Sequence, residues 1–241
     1  MDGYIKGIIS EDSTDSEELF TFPVTVAEAV YFDNGLNLVE KLNENSDIIP
    51  NKWLNKNIFC FGDSITAGGY PTNIGNVLGA FMTNKGSSGG TFVRDFDIIK
   101  TTDLTYADAV TFMTGHNRGP GNMTLETSGI KDIEDPTNLD SYPDNYYGGI
   151  GKLINYVRIN YPKVKIYLLG LHHTTRGNTS KDCQRALKEI GDYYSVPFID
   201  VYANCGISKT NLSVYSSDGT HLNSEGNTLL GEYIAYQMMY N

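Results

Sequence analysis

From residue 57 onward, short apolar runs alternate with segments in which apolar residues recur at helical spacing. The runs with strand character are 58–61, 109–113, 166–169 and 197–201, with a weaker one at 81–84. The segments with helical spacing are 146–161, 181–194 and 224–239. Such alternation is typical of right-handed crossovers between parallel strands, with helices on both faces of the sheet. The sequence therefore predicts an α/β fold, a three-layer α/β/α sandwich with a parallel sheet.

Residues 1–50 have a different character from the rest of the chain. The acidic run 11–18 carries no core pattern and is expected to be solvated, whereas 22–30 contains a strand-like stretch and 36–42 a short amphipathic helix. A chain of 241 residues suits one domain of ordinary size with a short appendage. We therefore divide the chain into a partly mobile N-terminal appendage, 1–50, and a main domain, 51–241.

Charge and cysteine content exclude several classes of function. The formal net charge of -11 argues against nucleic acid or an anionic membrane surface as the partner, because both require clustered Lys and Arg. No apolar run approaches the roughly 18 residues that a membrane span needs. The three cysteines, Cys60, Cys183 and Cys205, are widely spaced and indicate neither a zinc site nor a disulfide framework.

The strand predicted at 58–61 ends in Gly62-Asp63-Ser64. In open parallel sheets, ligands lie beyond the carboxyl ends of the strands, and a helix that follows directs its first N–H groups to that place. Ser64 is therefore placed to act as a nucleophile whose own backbone N–H helps to hold an oxyanion. The alternative is an ordinary strand-to-helix turn, capped by Asp63 or Ser64.

Three later segments also follow predicted strands or precede the last helix. Asp218 and His221 are three residues apart, so that a carboxylate can fix the tautomer of the imidazole and leave its other nitrogen free to take a proton. The glycine-rich turn 84–91 exposes backbone N–H groups, and Asn117 offers a neutral amide donor. Each segment alone is an ordinary turn, but together with Ser64 they form an ordered set of catalytic residue types.

In order, these four segments match the sequence blocks of the SGNH, or GDSL, hydrolases, and the chain resembles this family from about residue 57 onward. The resemblance implies a flavodoxin-like sandwich. It also implies that Ser64 is the nucleophile, that His221 is the general base and acid, and that Asp218 orients His221.

The same resemblance implies an oxyanion hole formed by the Ser64 N–H, the Gly89 N–H and the Asn117 side chain. Gly86 is the competing choice for the glycine donor, because the turn offers several glycines. The implied chemistry requires no metal and no organic cofactor.

Other residues near the predicted strand ends leave alternatives open. The irregular segment 118–145 is expected either to wall or cover the crevice or to be a surface insertion. Arg118 stands where many family members have Asp, and we expect it to alter a loop contact or the substrate preference. His172 and His173 are interpreted either as contacts to a sugar hydroxyl or carboxylate, or as ordinary loop residues.

The activity that the resemblance implies is hydrolysis of a carboxylic ester through an acyl-enzyme. Tyr142, Tyr146 and Tyr147 lie near the presumed crevice and suit stacking on a sugar ring, so we expect the enzyme to remove acetyl or other short acyl groups from a carbohydrate. The alternatives within enzyme chemistry are a lipase or lysophospholipase and a thioesterase.

A second resemblance concerns the N-terminal appendage. Segments 22–30 and 36–42 loosely resemble short connectors of phage tail proteins. This implies a tail-borne esterase acting on acylated polysaccharide, or a tail component that binds a surface polysaccharide without catalysis, with homo-oligomers formed through this segment. Since residues 1–20 also lack the pattern of a signal peptide, we expect a cytoplasmic protein or one carried on a phage virion.

Overall fold

The computed structural model describes residues 4–8, 19–23, 51–177 and 179–240, which belong to two compact units, Met1–Lys52 and Trp53–Asn241. In the first unit, β1 (Tyr4–Ile8) pairs antiparallel with β2 (Leu19–Pro23). The predicted acidic run, most of the predicted strand 22–30 and the helix predicted at 36–42 lie outside the described residues.

The second unit is built on one sheet of five strands that all run parallel. The strands are β3 (Asn57–Gly62), β4 (Phe81–Gly86), β5 (Ala109–Met113), β6 (Lys165–Leu169) and β7 (Phe198–Ile199). Their order across the sheet is β4-β3-β5-β6-β7. The chain thus moves to one side of β3 and then to the other, and such a switch point opens a crevice at the carboxyl ends of the strands. This confirms the predicted three-layer α/β fold with a parallel sheet.

Eight α-helices of the described residues accompany this sheet. They are α1 (Ser64–Ala67), α2 (Tyr70–Leu78), α3 (Phe92–Lys100), α4 (Tyr146–Asn160), α5 (Thr179–Tyr194), α6 (Val201–Asn204), α7 (Leu212–Tyr215) and α8 (Ser224–Tyr240). The three predicted helices correspond closely to α4, α5 and α8. Among the described residues, no helix is both long enough and apolar enough to cross a membrane.

The last predicted strand, 197–201, is shorter in the structure and ends at Ile199. The Asp200 side chain accepts a hydrogen bond from the Ala203 N–H at 2.8 Å and caps α6, which begins at Val201. A capping carboxylate satisfies a free N–H group of the first helical turn, so the chain leaves the sheet two residues earlier than its apolar pattern predicts.

The core lies between the sheet and the helices, and every residue of β5 is buried. Helix α8 packs against α2, and a Cβ on Gly231 would lie only 2.5 Å from the Asn73 Cβ. The Trp53 indole N–H donates to the Met238 carbonyl at 2.8 Å, which ties the start of this unit to α8. These contacts fix the last helix against α2 and against the start of this unit.

Candidate active site

The turn after β3 places Ser64 at the first position of α1. A Cβ on Gly62 would lie 2.1 Å from the Met113 carbonyl oxygen, so only glycine fits between β3 and the end of β5. The buried Asp63 caps α1 by accepting from the Ile65 N–H at 3.0 Å. Ser64, half-buried, therefore stands at the carboxyl edge of the sheet, beside the switch point.

The sequence-predicted residues Ser64, His221 and Asp218 form one continuous chain of contacts. The Ser64 hydroxyl lies 2.9 Å from His221 Nε2, and His221 Nδ1 lies 2.6 Å from Asp218 Oδ2. Hydrogen bonds from the His221 side chain and from the backbone N–H groups of His221 and Thr220 hold the pKa of Asp218 well below its usual range. An ionised carboxylate only accepts hydrogen bonds. His221 must therefore carry its proton on Nδ1, which leaves Nε2 free to accept from the Ser64 hydroxyl.

The loop that carries Asp218 and His221 is ordered by the same carboxylate. Asp218 Oδ1 accepts from the backbone N–H groups of Thr220 at 2.8 Å and His221 at 2.7 Å, and from the Ser216 hydroxyl at 3.2 Å. One carboxyl oxygen is thus used to shape the loop, and the other is left to orient the imidazole.

In the glycine-rich turn after β4, the two glycines considered as oxyanion donors have different surroundings. The Gly86 N–H donates to Asn84 Oδ1 at 2.9 Å, and a Cβ on Gly86 would lie 2.2 Å from the Ala67 N. Gly86 therefore serves close packing against α1. Gly89 is exposed, has a φ of 70°, and its N–H has no acceptor in the described part of the chain. Gly89 is therefore the glycine of the turn whose N–H is available to a ligand.

Asn117 is exposed at the end of the segment that follows β5. Its Nδ2 donates one hydrogen to the Gly90 carbonyl at 2.8 Å. Because an amide NH2 carries two hydrogens, the second remains for a bound group. The bond also joins Asn117 to the residue after Gly89, so it fixes the two candidate oxyanion donors relative to each other.

A buried pair next to the nucleophile was not assigned from the sequence. Asp63 Oδ2 accepts from the backbone N–H of His116 at 3.2 Å and lies 3.0 Å from His116 Nδ1. Burial alone would raise the pKa of Asp63, but the hydrogen bonds from His116 and from the Ile65 N–H outweigh it and lower that pKa. Asp63 is thus a buried anion beneath Ser64. The sequence signal for the pair was that Asp63 and His116 both lie within the motif segments.

The two histidines after β6 both make contacts within the protein. His172 is fully buried, and its Nε2 lies 2.9 Å from the Thr220 carbonyl oxygen. His173 stacks on Tyr202 with ring centroids 3.8 Å apart. The interpretation as ordinary loop residues fits His172 better than a direct contact with a sugar.

The expectation that three tyrosines stack on a sugar ring is wrong. Tyr147 is completely buried, and Tyr146 and Tyr142 are only 2% and 8% exposed. The Tyr146 hydroxyl donates to the Thr114 carbonyl at 2.7 Å, so this ring belongs to the core under the strand ends. Helix α4 directs the rings of Tyr146 and Tyr147 inward, which proximity in sequence could not reveal.

The irregular segment 118–145 is fastened at both ends. Arg118 Nη1 lies 3.2 Å from Asp144 Oδ1, its Nη2 donates to the Asp144 carbonyl at 3.1 Å, and its guanidinium lies over the Phe92 ring. The middle of the segment is held to α5, where Glu189 accepts from the Leu125 N–H at 2.9 Å. Arg118 therefore makes a loop contact at the edge of the site, next to Asn117.

Residues 60–229 match the GDSL-like lipase/acylhydrolase family. A search of curated proteins found no match. Many solved structures are similar in fold.

Among the similar structures are proteins named as lipases and one named as an esterase. A possible lipase from Chitinophaga pinensis is 19% identical, with a TM-score of 0.58 over 76% of this chain and 98% of its own. A lipase/acylhydrolase from Enterococcus faecalis is 18% identical, with a TM-score of 0.56 over 77% and 96%. A mutant of an acetyl-xylooligosaccharide esterase from Geobacillus is 19% identical, with a TM-score of 0.56 over 77% and 94%. At these identities the likeness establishes the shared fold.

Proposed function

The chain belongs to the GDSL-like lipase/acylhydrolase family, and from this premise we propose that it is a serine esterase that removes acetyl or other short acyl groups from a carbohydrate. Ser64 is the nucleophile, His221 the general base and acid, and Asp218 the residue that orients His221. The observation that carries this proposal is the unbroken contact from the Ser64 hydroxyl through both nitrogens of His221 to the Asp218 carboxylate.

The reaction follows from these contacts. His221 Nε2 takes the Ser64 proton while the serine oxygen attacks the ester carbonyl, and the carbonyl oxygen becomes an oxyanion. The N–H groups of Ser64 and Gly89 and the Asn117 amide stabilise that charge. His221 then gives its proton to the departing alcohol, which leaves an acyl-serine.

The second half repeats these steps with water. His221 Nε2 removes a proton from water, the resulting hydroxide attacks the acyl-serine, and the proton returns to the Ser64 oxygen as the carboxylic acid departs. Asp218 remains ionised throughout and stabilises the imidazolium that forms in both halves.

The character of the site's rim supports a short acyl group. Among the described residues, none of the strongly exposed large apolar side chains belongs to the motif segments 62–69, 84–91, 114–119 and 216–223 or to 171–177, which contacts the last of them. The rim instead presents polar side chains, namely those of Ser88, Asn117, Arg118, Thr175 and Arg176, all exposed. A long acyl chain needs an apolar cleft for its methylene groups, whereas polar side chains suit the hydroxyl groups of a sugar.

The fold also accommodates such a substrate, since one structural neighbour is named an acetyl-xylooligosaccharide esterase. Other neighbours are named lipases. The choice between the two substrate classes therefore depends on the site's own residues and on the experiment below.

The test is acetate release from acetylated polysaccharides and turnover of p-nitrophenyl esters of increasing acyl length. Ser64→Ala is assayed beside Ser195→Ala, an exposed serine in the turn between α5 and β7, which lies before the amino end of β7 and so at the opposite edge of the sheet from Ser64. We expect turnover that peaks at acetyl, extends to the polysaccharides, and is lost only in Ser64→Ala.

Other results would redirect the assignment. A maximum at long acyl chains would replace the carbohydrate substrate with a lipid or thioester. Binding of polysaccharide without serine-dependent turnover of any ester would favour a non-catalytic binding component.

A further inference from the structure

Beneath the exposed contact between Ser64 and His221 runs a second, buried chain of contacts. It begins at Asp63, next to the nucleophile, and passes to His116, whose Nδ1 lies 3.0 Å from Asp63 Oδ2. The His116 and His172 rings lie with centroids 5.2 Å apart. His172 Nε2 then contacts the carbonyl oxygen of Thr220, the residue before His221, at 2.9 Å.

The proton positions along this chain follow from its acceptors. A carbonyl oxygen only accepts hydrogen bonds, so His172 carries its hydrogen on Nε2 and donates it to Thr220. Burial, with the neighbouring His116, lowers the pKa of His172 to about 3, so the ring stays neutral at working pH. His172 is therefore a fixed, uncharged donor to the loop of His221.

The segment around His172 holds that loop at a second point. The Thr175 N–H donates to the Gly219 carbonyl at 2.9 Å, and the Thr175 hydroxyl reaches the same oxygen at 3.3 Å. Two successive carbonyls of the loop, those of Gly219 and Thr220, are thus bound by one segment that follows β6. Asp218 shapes the loop from within, and this segment fixes its position relative to the sheet.

Resting on the proposed function, we propose that His172 is a positioning residue that sets the distance between His221 Nε2 and the Ser64 hydroxyl. It has no access to a substrate, because its side chain is fully buried. It acts through Thr220 on one side and through the contact with His116, and so with Asp63, on the other. Asp63, His116 and His172 therefore form a buried framework that contacts both the turn of Ser64 and the loop of His221.

Loss of the His172 contact with Thr220 would displace His221 from Ser64 and reduce catalysis without reducing substrate binding. Proton transfer depends on the separation of Ser64 and His221, and a misplacement of about 1 Å can cost roughly 100-fold in rate. The groups we assign to oxyanion binding, Gly89 and Asn117, belong to other segments and keep their contacts. A defect in His172 should therefore lower kcat and leave KM unchanged.

The test compares His172→Leu with His172→Gln. Leu removes the donor at similar volume, whereas the NH2 of Gln can occupy the position of Nε2 and donate to Thr220. The control is His173→Leu, a neighbouring histidine that stacks on Tyr202 and makes no contact with Thr220 in the described residues. Ser64→Ala establishes that the measured turnover depends on the serine.

We expect His172→Leu to lower kcat for p-nitrophenyl acetate by about 10- to 100-fold at unchanged KM, and His172→Gln to restore most of it. His173→Leu should behave like the unmodified protein. Equal kcat in His172→Leu and the unmodified protein, or equal losses in the Leu and Gln variants, would overturn the proposal.

Two readouts separate the proposal from a loss of stability and from a wrong function. One is the rate at which a fluorophosphonate labels Ser64 in folded protein, with the melting temperature measured in parallel. The other is the NMR resonance of the proton between His221 Nδ1 and Asp218, which is readily sought in a chain with four histidines. We expect slower labelling and a displaced resonance in His172→Leu alone. Unchanged values of both would overturn the positioning role, whereas absence of serine-dependent turnover in the unmodified protein would overturn the proposed function only.

Discussion

Replacing Asp218 with Asn should abolish most of the activity while the loop keeps its shape. Asp218 Oδ1 accepts three hydrogen bonds from its own loop, two of them from backbone N–H groups, and within the described part of the chain Oδ2 accepts only from His221 Nδ1. In Asp218→Asn the amide oxygen should take the Oδ1 position. The NH2 group then faces His221 Nδ1, which must accept instead of donate. The proton of the neutral ring moves to Nε2, where it blocks proton transfer from Ser64.

The magnitude follows from the bonds that oppose the reverse orientation. Turning the amide over would lose the two backbone bonds of Thr220 and His221, at about 1–1.5 kcal/mol each. The resulting cost of about 2–3 kcal/mol corresponds to roughly 30- to 150-fold in rate at about 1.4 kcal/mol per decade. Loss of the carboxylate beside the imidazolium, an exposed pair, adds about 1 kcal/mol or about fivefold. We therefore expect kcat to fall by about 150- to 750-fold with KM unchanged.

The assay is steady-state hydrolysis of p-nitrophenyl acetate. Asp103→Asn is the control, because Asp103 also accepts from a backbone N–H and a hydroxyl, both of Thr105, but contacts no histidine in the described residues. A kcat within about tenfold of the unmodified value in Asp218→Asn would refute the assigned tautomer and the role of Asp218.

Three further predictions concern the oxyanion donor, the loop contact and a buried acid. Asn117→Ala should lower kcat by about 100- to 1000-fold with an unchanged melting temperature, and near-normal turnover would remove Asn117 from the site. Arg118→Ala breaks an exposed contact with Asp144 and should lower the free energy of unfolding by only about 1 kcal/mol, as measured in urea; a loss of several kcal/mol would contradict this. Burial raises the pKa of Asp95 to about 7, so the native state keeps a proton that the unfolded chain releases above about pH 4. Stability should therefore fall between about pH 4 and 7, by up to about 1.4 kcal/mol per pH unit, and urea unfolding of Asp95→Asn should show a flatter dependence; equal slopes would count against a buried protonated Asp95.

The strand and helix pattern was predictable because burial repeats at short range. The apolar runs that form β3, β5 and β6 are visible in the sequence, and the order of the motif segments already suggested that strand ends would bring Ser64 close to His221. The end of β7 was not predictable, because Val201 continues an apolar run while the cap by Asp200 starts a helix.

The buried framework had no comparable signal. Asp63 and His116 are 53 positions apart, and His172 and Thr220 are 48 apart. Their contacts depend on which strands are neighbours in the sheet, and local periodicity does not specify that order. A buried histidine also looks the same in sequence as one in an exposed loop. The inward orientation of Tyr146 was missed for the same reason, since which face of α4 meets the core is decided by the sheet.

His221 lies 157 residues after Ser64, so the contact between them can form only after most of the domain has been synthesised. The nucleophile turn and its strand emerge early, but the serine has no base until β6, the segment after it and α8 have all docked. Partly folded chains can therefore bury much of the core while they remain unable to acylate themselves or attack other esters. The appearance of fluorophosphonate labelling during refolding would therefore report the long-range contact between Ser64 and His221.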